Sequence, residues 1–185
     1  MKSEEENPFK KVATKAVYEN PWIKVREDQI INPSGNPGIY GVVEFKKVAI
    51  AILPLDENNN TWIVGQYRYP HDTYEWEIPE GGCELGEDPL DTAKRELLEE
   101  TGIIAGDYEK ILDMQLSNST TNEISISYIA RNLSFSQCQP EETEVLKVKK
   151  IPFETLKQMV INNEIRDSLT IATVLKADQI INNPL

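Results

Sequence analysis

Between Asp88 and Gly102 the chain is punctuated as a helix at both ends, and this segment most limits what it can fold into. Asp88 has the short acceptor side chain that suits an N-cap. Pro89 suits the first helical position, where its missing N–H has no intrahelical partner, and Gly102 suits the stop. Inside these bounds Leu90, Ala93 and Leu97 recur at helical spacing. A helix with one apolar stripe has to bury it against another layer. Strand signals supply that layer. Residues 48–53 are a nearly continuous apolar run, as expected of a strand covered on both faces. Asp56-Glu57-Asn58-Asn59-Asn60 then turns the chain into a second strand, residues 62–67. The expected class is α/β with a mixed sheet.

The remaining chain divides by composition. Residues 1–11 carry Glu4, Glu5 and Glu6 beside Lys10 and Lys11 with little apolar content, and read as a frayed tail. Residues 12–45 read as an N-terminal β element, with strands over 22–31 and 39–45 joined by the turn-forming Asn32-Pro33-Ser34-Gly35-Asn36-Pro37-Gly38. Residues 46–185 form the main domain. Strands are expected over 124–129 and 145–151, and helices over 153–162 and from Asp167 through Leu169, Ala172 and Leu175. No apolar run reaches the length of a membrane span, and Met-Lys-Ser-Glu-Glu-Glu lacks the apolar core of a signal peptide, so a cytoplasmic protein with no membrane partner is expected. Cys83 and Cys138 are too few for a disulfide framework or a cysteine zinc site and read as free thiols. A net charge of −12 argues against a nucleic-acid partner, and an anionic substrate would need local cations.

The chemistry concentrates on the punctuated helix. Glu96, Glu99 and Glu100 fall at i, i+3 and i+4 and share one face. Like charges at that spacing destabilise a helix by a few tenths of a kcal/mol per pair, so they call for full solvation or a hard divalent cation. A solvated acidic face explains most such clusters. Oxygen-only ligands suit Mg²⁺ or Mn²⁺.

The flanking residues decide between these readings. From Gly81 the sequence runs through five residues to Glu87, then seven to Arg95-Glu96-Leu97-Leu98-Glu99-Glu100-Thr101-Gly102-Ile103. This resembles the Nudix box without a departure. Gln66-Tyr67-Arg68-Tyr69-Pro70 and Trp76-Glu77-Ile78-Pro79-Glu80-Gly81-Gly82 are similar to the ADP-ribose and NDP-sugar pyrophosphatase branch of that family. The resemblance implies a Nudix-type α/β/α sandwich with a central mixed sheet. It also implies Mg²⁺-dependent hydrolysis of a nucleoside diphosphate sugar at its pyrophosphate. In the family the metal ligands map to Glu96 and Glu100, with Glu99 as a neighbouring ligand or catalytic water-holder and the Glu80 carbonyl as a further ligand. Glu87 and Arg95 correspond to the pair bracing loop against helix. Gly81 and Gly82 allow close approach of the phosphates. The general base in the family often lies beyond the box. Glu141-Glu142-Thr143-Glu144 puts it at Glu142, with Glu144 as an added metal contact, and Glu123 is the alternative. A solvated acidic loop explains Glu141 to Glu144 as well.

Arg68 is a candidate phosphate contact, although a surface salt bridge also accounts for it. His71, the single histidine, reads as exposed and chemically idle. Relatives that cleave ADP-ribose to AMP and ribose 5-phosphate carry Ser-Pro-Gly followed by Glu downstream of the box. Here Ser117 to Glu123 keeps the Ser and Glu without the Pro and Gly. ADP-ribose remains the substrate the resemblance implies first, with GDP-mannose, another NDP-sugar or a dinucleoside polyphosphate as alternatives, and a non-catalytic nucleotide-sugar sensor as an alternative of another class. The N-terminal element resembles the dimerisation hairpin of ADP-ribose pyrophosphatases, which implies a homodimer. By the same likeness Trp22 and Tyr40 are the aromatic residues that clamp the base.

Overall fold

A computed structural model describes residues 6–136 and 146–182. The chain separates into two compact units. The first holds residues 1–47 and 115–123, and the second holds residues 48–114 and 124–185.

In the first unit β1 (Lys10–Glu19), β2 (Ile23–Ile31) and β3 (Pro37–Phe45) form an antiparallel sheet in the order β1-β2-β3. The expected hairpin is thus a three-stranded sheet, and its first strand begins inside the stretch read as a frayed tail. Irregularities between Lys11 and Ala13 and between Ala16 and Tyr18 break the register of β1. Each shifts side chains to the other face, which erases the alternation that marks a strand in sequence. The turn between β2 and β3 is tied by Asn32, whose Oδ1 accepts from Ser34 and Asn36 N–H, and Gly35 takes φ +84°. The segment before Glu123 lies against β3. Asn122 accepts the Phe45 N–H at 2.6 Å, and Val43 N–H donates to Thr120 O at 2.9 Å.

The second unit contains two sheets. One is the antiparallel β10 (Lys147–Pro152), β5 (Asn60–Arg68), β6 (Thr73–Glu77). The other, in the order β7 (Glu80–Glu84), β4 (Lys47–Pro54), β9 (Ile124–Phe135), β8 (Ile103–Gln115), has β4 parallel to β9. Alternate residues of β4 and β9 face opposite helices, as the two-residue period of a strand requires. Ile50, Ile52, Tyr128 and Ala130 join Ala93 and Leu97 of α1 (Pro89–Thr101) in one core cluster. On the other side of β9, buried Ser127 accepts a hydrogen bond from Thr173 of α3 (Ser168–Asn182) at 2.8 Å. With α2 (Phe153–Ile161) packed beside α3, this is the expected α/β/α layering with mixed strands. Along α3 the buried positions are Leu169, Thr170, Thr173, Val174 and Ala177, while Leu175, expected on the apolar face, is exposed. No helix among the described residues is long and apolar enough to cross a membrane.

The ends of α1 follow the sequence signals. The Asp88 side chain accepts from Leu90 N–H at 2.9 Å, and Gly102 closes the helix at φ +72° with its N–H on Leu98 O. Asp88→Ala removes that acceptor and is expected to cost about 1 kcal/mol, lowering the melting temperature by about 2–4 °C. A melt indistinguishable from wild type would show that the cap contributes nothing.

Candidate active site

The site is built from the loop before α1 and the helix face above it. Glu99 and Glu100 lie about one helical turn beyond Glu96, and the surroundings treat each differently. Glu100 is 2 % exposed and accepts the backbone N–H of Glu80 at 3.1 Å. Glu96 lies over Gly81 so closely that a methyl group there would overlap its carboxylate. Arg95 takes Glu96 Oε1 at 2.8 Å and Glu99 Oε2 at 3.0 Å with one nitrogen, Nη1. Its Nε stands 3.7 Å from Glu87 Oε1, and its Nη2 reaches Gly82 O at 3.5 Å. One guanidinium thus offsets the mutual repulsion of the helix carboxylates and ties them to the loop.

Glu87 is itself held from the loop, since Glu84 N–H donates to its Oε2 at 3.2 Å. That backbone hydrogen bond heads the causes that lower its pKa, with Thr92 and Arg95 adding to it. Beneath the loop Cys83 is a buried free thiol in the α1 core cluster, a packing role. Cys138, Glu142 and Glu144 lie outside the described residues.

A second group of carboxylates adjoins the loop. Oxygens of Glu77, Glu80 and Asp167 lie within 4.8 Å of one another. Sequence reasoning assigned no site role to Glu77 or Asp167. The Asp167 signal was present only as the N-cap of α3, and that role is observed, with Thr170 N–H on its Oδ2 at 2.6 Å. Arg68 faces this group, 2.9 Å from Glu77 Oε1 and 3.9 Å from Glu80 Oε1. Burial pushes the Glu80 carboxyl well above its ordinary range, and Asp167 and Glu77 add to the shift. The same desolvation raises Glu77, opposed by Arg68.

The other sequence-assigned residues fall in the first unit. Glu123 ends the segment 115–123, and burial raises its pKa. Trp22, in the turn before β2, is 63 % exposed, and Tyr40, on β3, is 37 % exposed. Tyr40 donates to Ser119 O at 2.6 Å and meets the Phe9 ring edge-on. Ile23 pairs with Phe45 and Asp28 with Tyr40, so Trp22 and Tyr40 stand at least five rungs apart along the sheet. That is about 17 Å at strand spacing. Rings so separated cannot face each other across one base within a single copy. His71 is exposed in a 3₁₀ turn.

The donors fit a hard divalent cation. Glu96, Glu100 and the Glu80 carbonyl offer only oxygen, and Gly81 leaves free the space that a side chain would take from Glu96.

Known proteins agree with this architecture. A NUDIX domain profile matches residues 45–170, and a nucleoside diphosphate sugar hydrolase N-terminal domain profile matches residues 9–43. An ADP-ribose pyrophosphatase of Bacillus subtilis (strain 168) is 31% identical over 172 residues, 92% of this chain and 91% of that protein. Another, of Mycobacterium tuberculosis (strain ATCC 25618 / H37Rv), is 30% identical over 92% of this chain and 83% of its own length. A methanol dehydrogenase activator of Bacillus methanolicus is 29% identical over 89% of this chain and 90% of its own. Among solved structures, an ADP compounds hydrolase superposes with a TM-score of 0.87 at 16% identity, covering 97% of both chains, and so shares the fold.

Gly81→Ala tests the close approach at the loop. The clashing group is the end of a flexible side chain, so the fold should survive while the Glu96 carboxylate swings away. Divalent-metal affinity is expected to fall about 10–100-fold with little change in melting temperature. Unaltered metal affinity would refute the role given to the approach.

Proposed function

Since the chain belongs to the Nudix family, we propose that it is a Mg²⁺-dependent pyrophosphatase of nucleoside diphosphate sugars, with ADP-ribose, cleaved to AMP and ribose 5-phosphate, as its first substrate. The observation that carries this is the carboxylate shelf, with Glu96 over Gly81 and Glu100 on the Glu80 N–H. The N-terminal domain match and the names of relatives aligned along most of the chain support the substrate class. The missing Pro and Gly in Ser117 to Glu123 favour GDP-mannose or another NDP-sugar as the second reading.

Glu96, Glu100 and the Glu80 carbonyl would hold the ion, with Glu144 as a further ligand and Mn²⁺ as a substitute. When bound it offsets the charge of the diphosphate and acidifies water. The chain supplies the rest. Arg95 orients Glu96 and Glu99, Gly81 and Gly82 let backbone meet phosphate, and Arg68 contacts a phosphate oxygen. Glu142 accepts the proton of the attacking water, and Glu123 is the alternative base. The leaving phosphate ester departs as AMP or sugar phosphate. We place the protein in the cytoplasm as a homodimer. Exposed Trp22 and Tyr40, too far apart to meet within one copy, would clamp the base from two subunits.

Three measurements test this reading. Product analysis over ADP-ribose, GDP-mannose, other NDP-sugars and dinucleoside polyphosphates should give AMP and ribose 5-phosphate fastest, and only without chelator. Trp22→Ala should then raise KM for the best substrate by about tenfold while the protein still sediments as a dimer, since base stacking contributes about 1–3 kcal/mol. Wild-type KM or a monomeric wild type refutes the clamp. Separately, Glu142→Gln should lower kcat by about 10²–10⁴-fold with KM little changed, as removal of a base does. If Glu123→Gln gives that pattern instead, Glu123 is the base.

A further inference from the structure

Arg68 ends β5 opposite Thr73 of β6, and Glu77 stands four rungs away on β6, opposite Val64. The two side chains meet at two points, through one hydrogen bond and one ion-pair contact. Arg68 Nη2 lies 2.9 Å from Glu77 Oε1, and Arg68 Nε donates to Glu77 Oε2 at 3.1 Å. Two contacts on neighbouring nitrogens restrict the rotation of the guanidinium as well as its position. The partners are unequally buried. Glu77 is 1 % exposed and Arg68 37 %. Among the described residues Nη1 of Arg68 has no ion-pair or hydrogen-bond partner.

The backbone that carries Glu77 is held in turn. Glu77 pairs with Val64, and the next residue, Ile78, donates its N–H to Thr170 Oγ1 at 3.0 Å, in the first turn of α3. Two residues beyond Ile78, Glu80 brings its carboxylate to 3.9 Å from Arg68 Nη2 while its N–H is bound by Glu100. Arg68 therefore stands beside the loop that carries Gly81.

Burying a carboxylate is costly, and pairing it with a half-exposed arginine returns only part of that cost. Stability alone gives a weak reason for Glu77. Orientation gives a stronger one. We propose that Glu77 is a positioning residue, which fixes the Arg68 guanidinium so that its unpaired Nη1 edge faces a substrate phosphate beside Gly81. The inference rests on the reading of Arg68 as a phosphate contact. Glu77 does not touch substrate in this arrangement and acts only through Arg68. A free arginine would spread its charge over many rotamers, whereas the paired one presents it in one place at less entropic cost on binding.

The test is a double-mutant cycle read by affinity as well as turnover. Glu77→Gln keeps the side-chain size and one acceptor oxygen but removes the charge. The probe is the uncleavable α,β-methylene analogue of ADP-ribose, titrated calorimetrically with Mg²⁺ into wild type, E77Q, R68A and the double variant, with a melt for each. E77Q and R68A should each weaken binding about tenfold, and the double variant should bind no more weakly than R68A alone. In turnover the E77Q loss should appear in KM, with kcat within about twofold of wild type. Wild-type affinity in R68A would overturn the phosphate contact, and the role of Glu77 with it. Weakened binding in R68A with wild-type affinity in E77Q, or losses that multiply in the double variant, would overturn the role of Glu77 alone. Should E77Q fail to fold, Arg68→Lys carries the test, because an ammonium keeps the charge but lacks the second nitrogen that makes the two-point contact with Glu77. About tenfold weaker binding is expected of R68K, and wild-type affinity overturns the proposal.

Discussion

Three carboxylates on one face of α1 repel one another, and much of the second unit serves to hold them together nonetheless. Arg95 answers part of the repulsion from within the helix by pairing with Glu96 and Glu99 through a single nitrogen. The rest is answered from the loop, where the Glu80 N–H takes Glu100 and Gly81 yields its side-chain space to Glu96. Each of these contacts needs the loop within van der Waals reach of the helix face. The core cluster beneath supplies that proximity. Ala93 and Leu97 seat α1 on Ile50, Ile52, Tyr128 and Ala130, and Cys83 anchors the loop in the same cluster.

The opposite layer controls the other end of the loop. The Ile78 N–H on Thr170 and the Asp167 cap fix the entry to Pro79 and Glu80 against the start of α3. Ile52 N–H on Pro79 O, at 2.8 Å, adds a bond to β4. The loop is thereby held from the sheet, from α1 and from α3, which suits a site whose groups must stay in place without reorganising as charge develops. Arg68 and Glu77 belong to the same frame, since β5 and β6 are paired and the Arg68 side chain spans from the Thr73 rung to Glu77 on the Val64 rung.

The sequence was most legible where local chemistry dictates local structure. Asp88, Pro89 and Gly102 bound α1 where their side chains and backbone freedom require, and the Glu spacing alone placed three carboxylates on one face. The strand β1 was not legible, because two irregularities break its alternation and its residues are exposed within the first unit. Thirteen residues of β8 were equally hidden, with buried and exposed positions that follow no simple period. Glu77 and Asp167 are separated by most of the main domain in sequence, so nothing in their local context could show that they share a site.

By itself the sequence determined the chemistry available: a capped helix bearing three carboxylates on one face, a glycine-rich approach and a family pattern over residues 81–103. Those properties depend on neighbours within a few residues, where chain geometry leaves little freedom. Only the tertiary structure decided which groups answer one another. Arg68 meets Glu77 by spanning four rungs of the β5–β6 pair, Glu80 meets Glu100 through the seating of α1, and Asp167 arrives with the first turn of α3. The physical reason is that burial and pairing are properties of the packed layers. A carboxylate at 1 % exposure and one on a solvated helix are the same letter in the chain, and only the fold separates them.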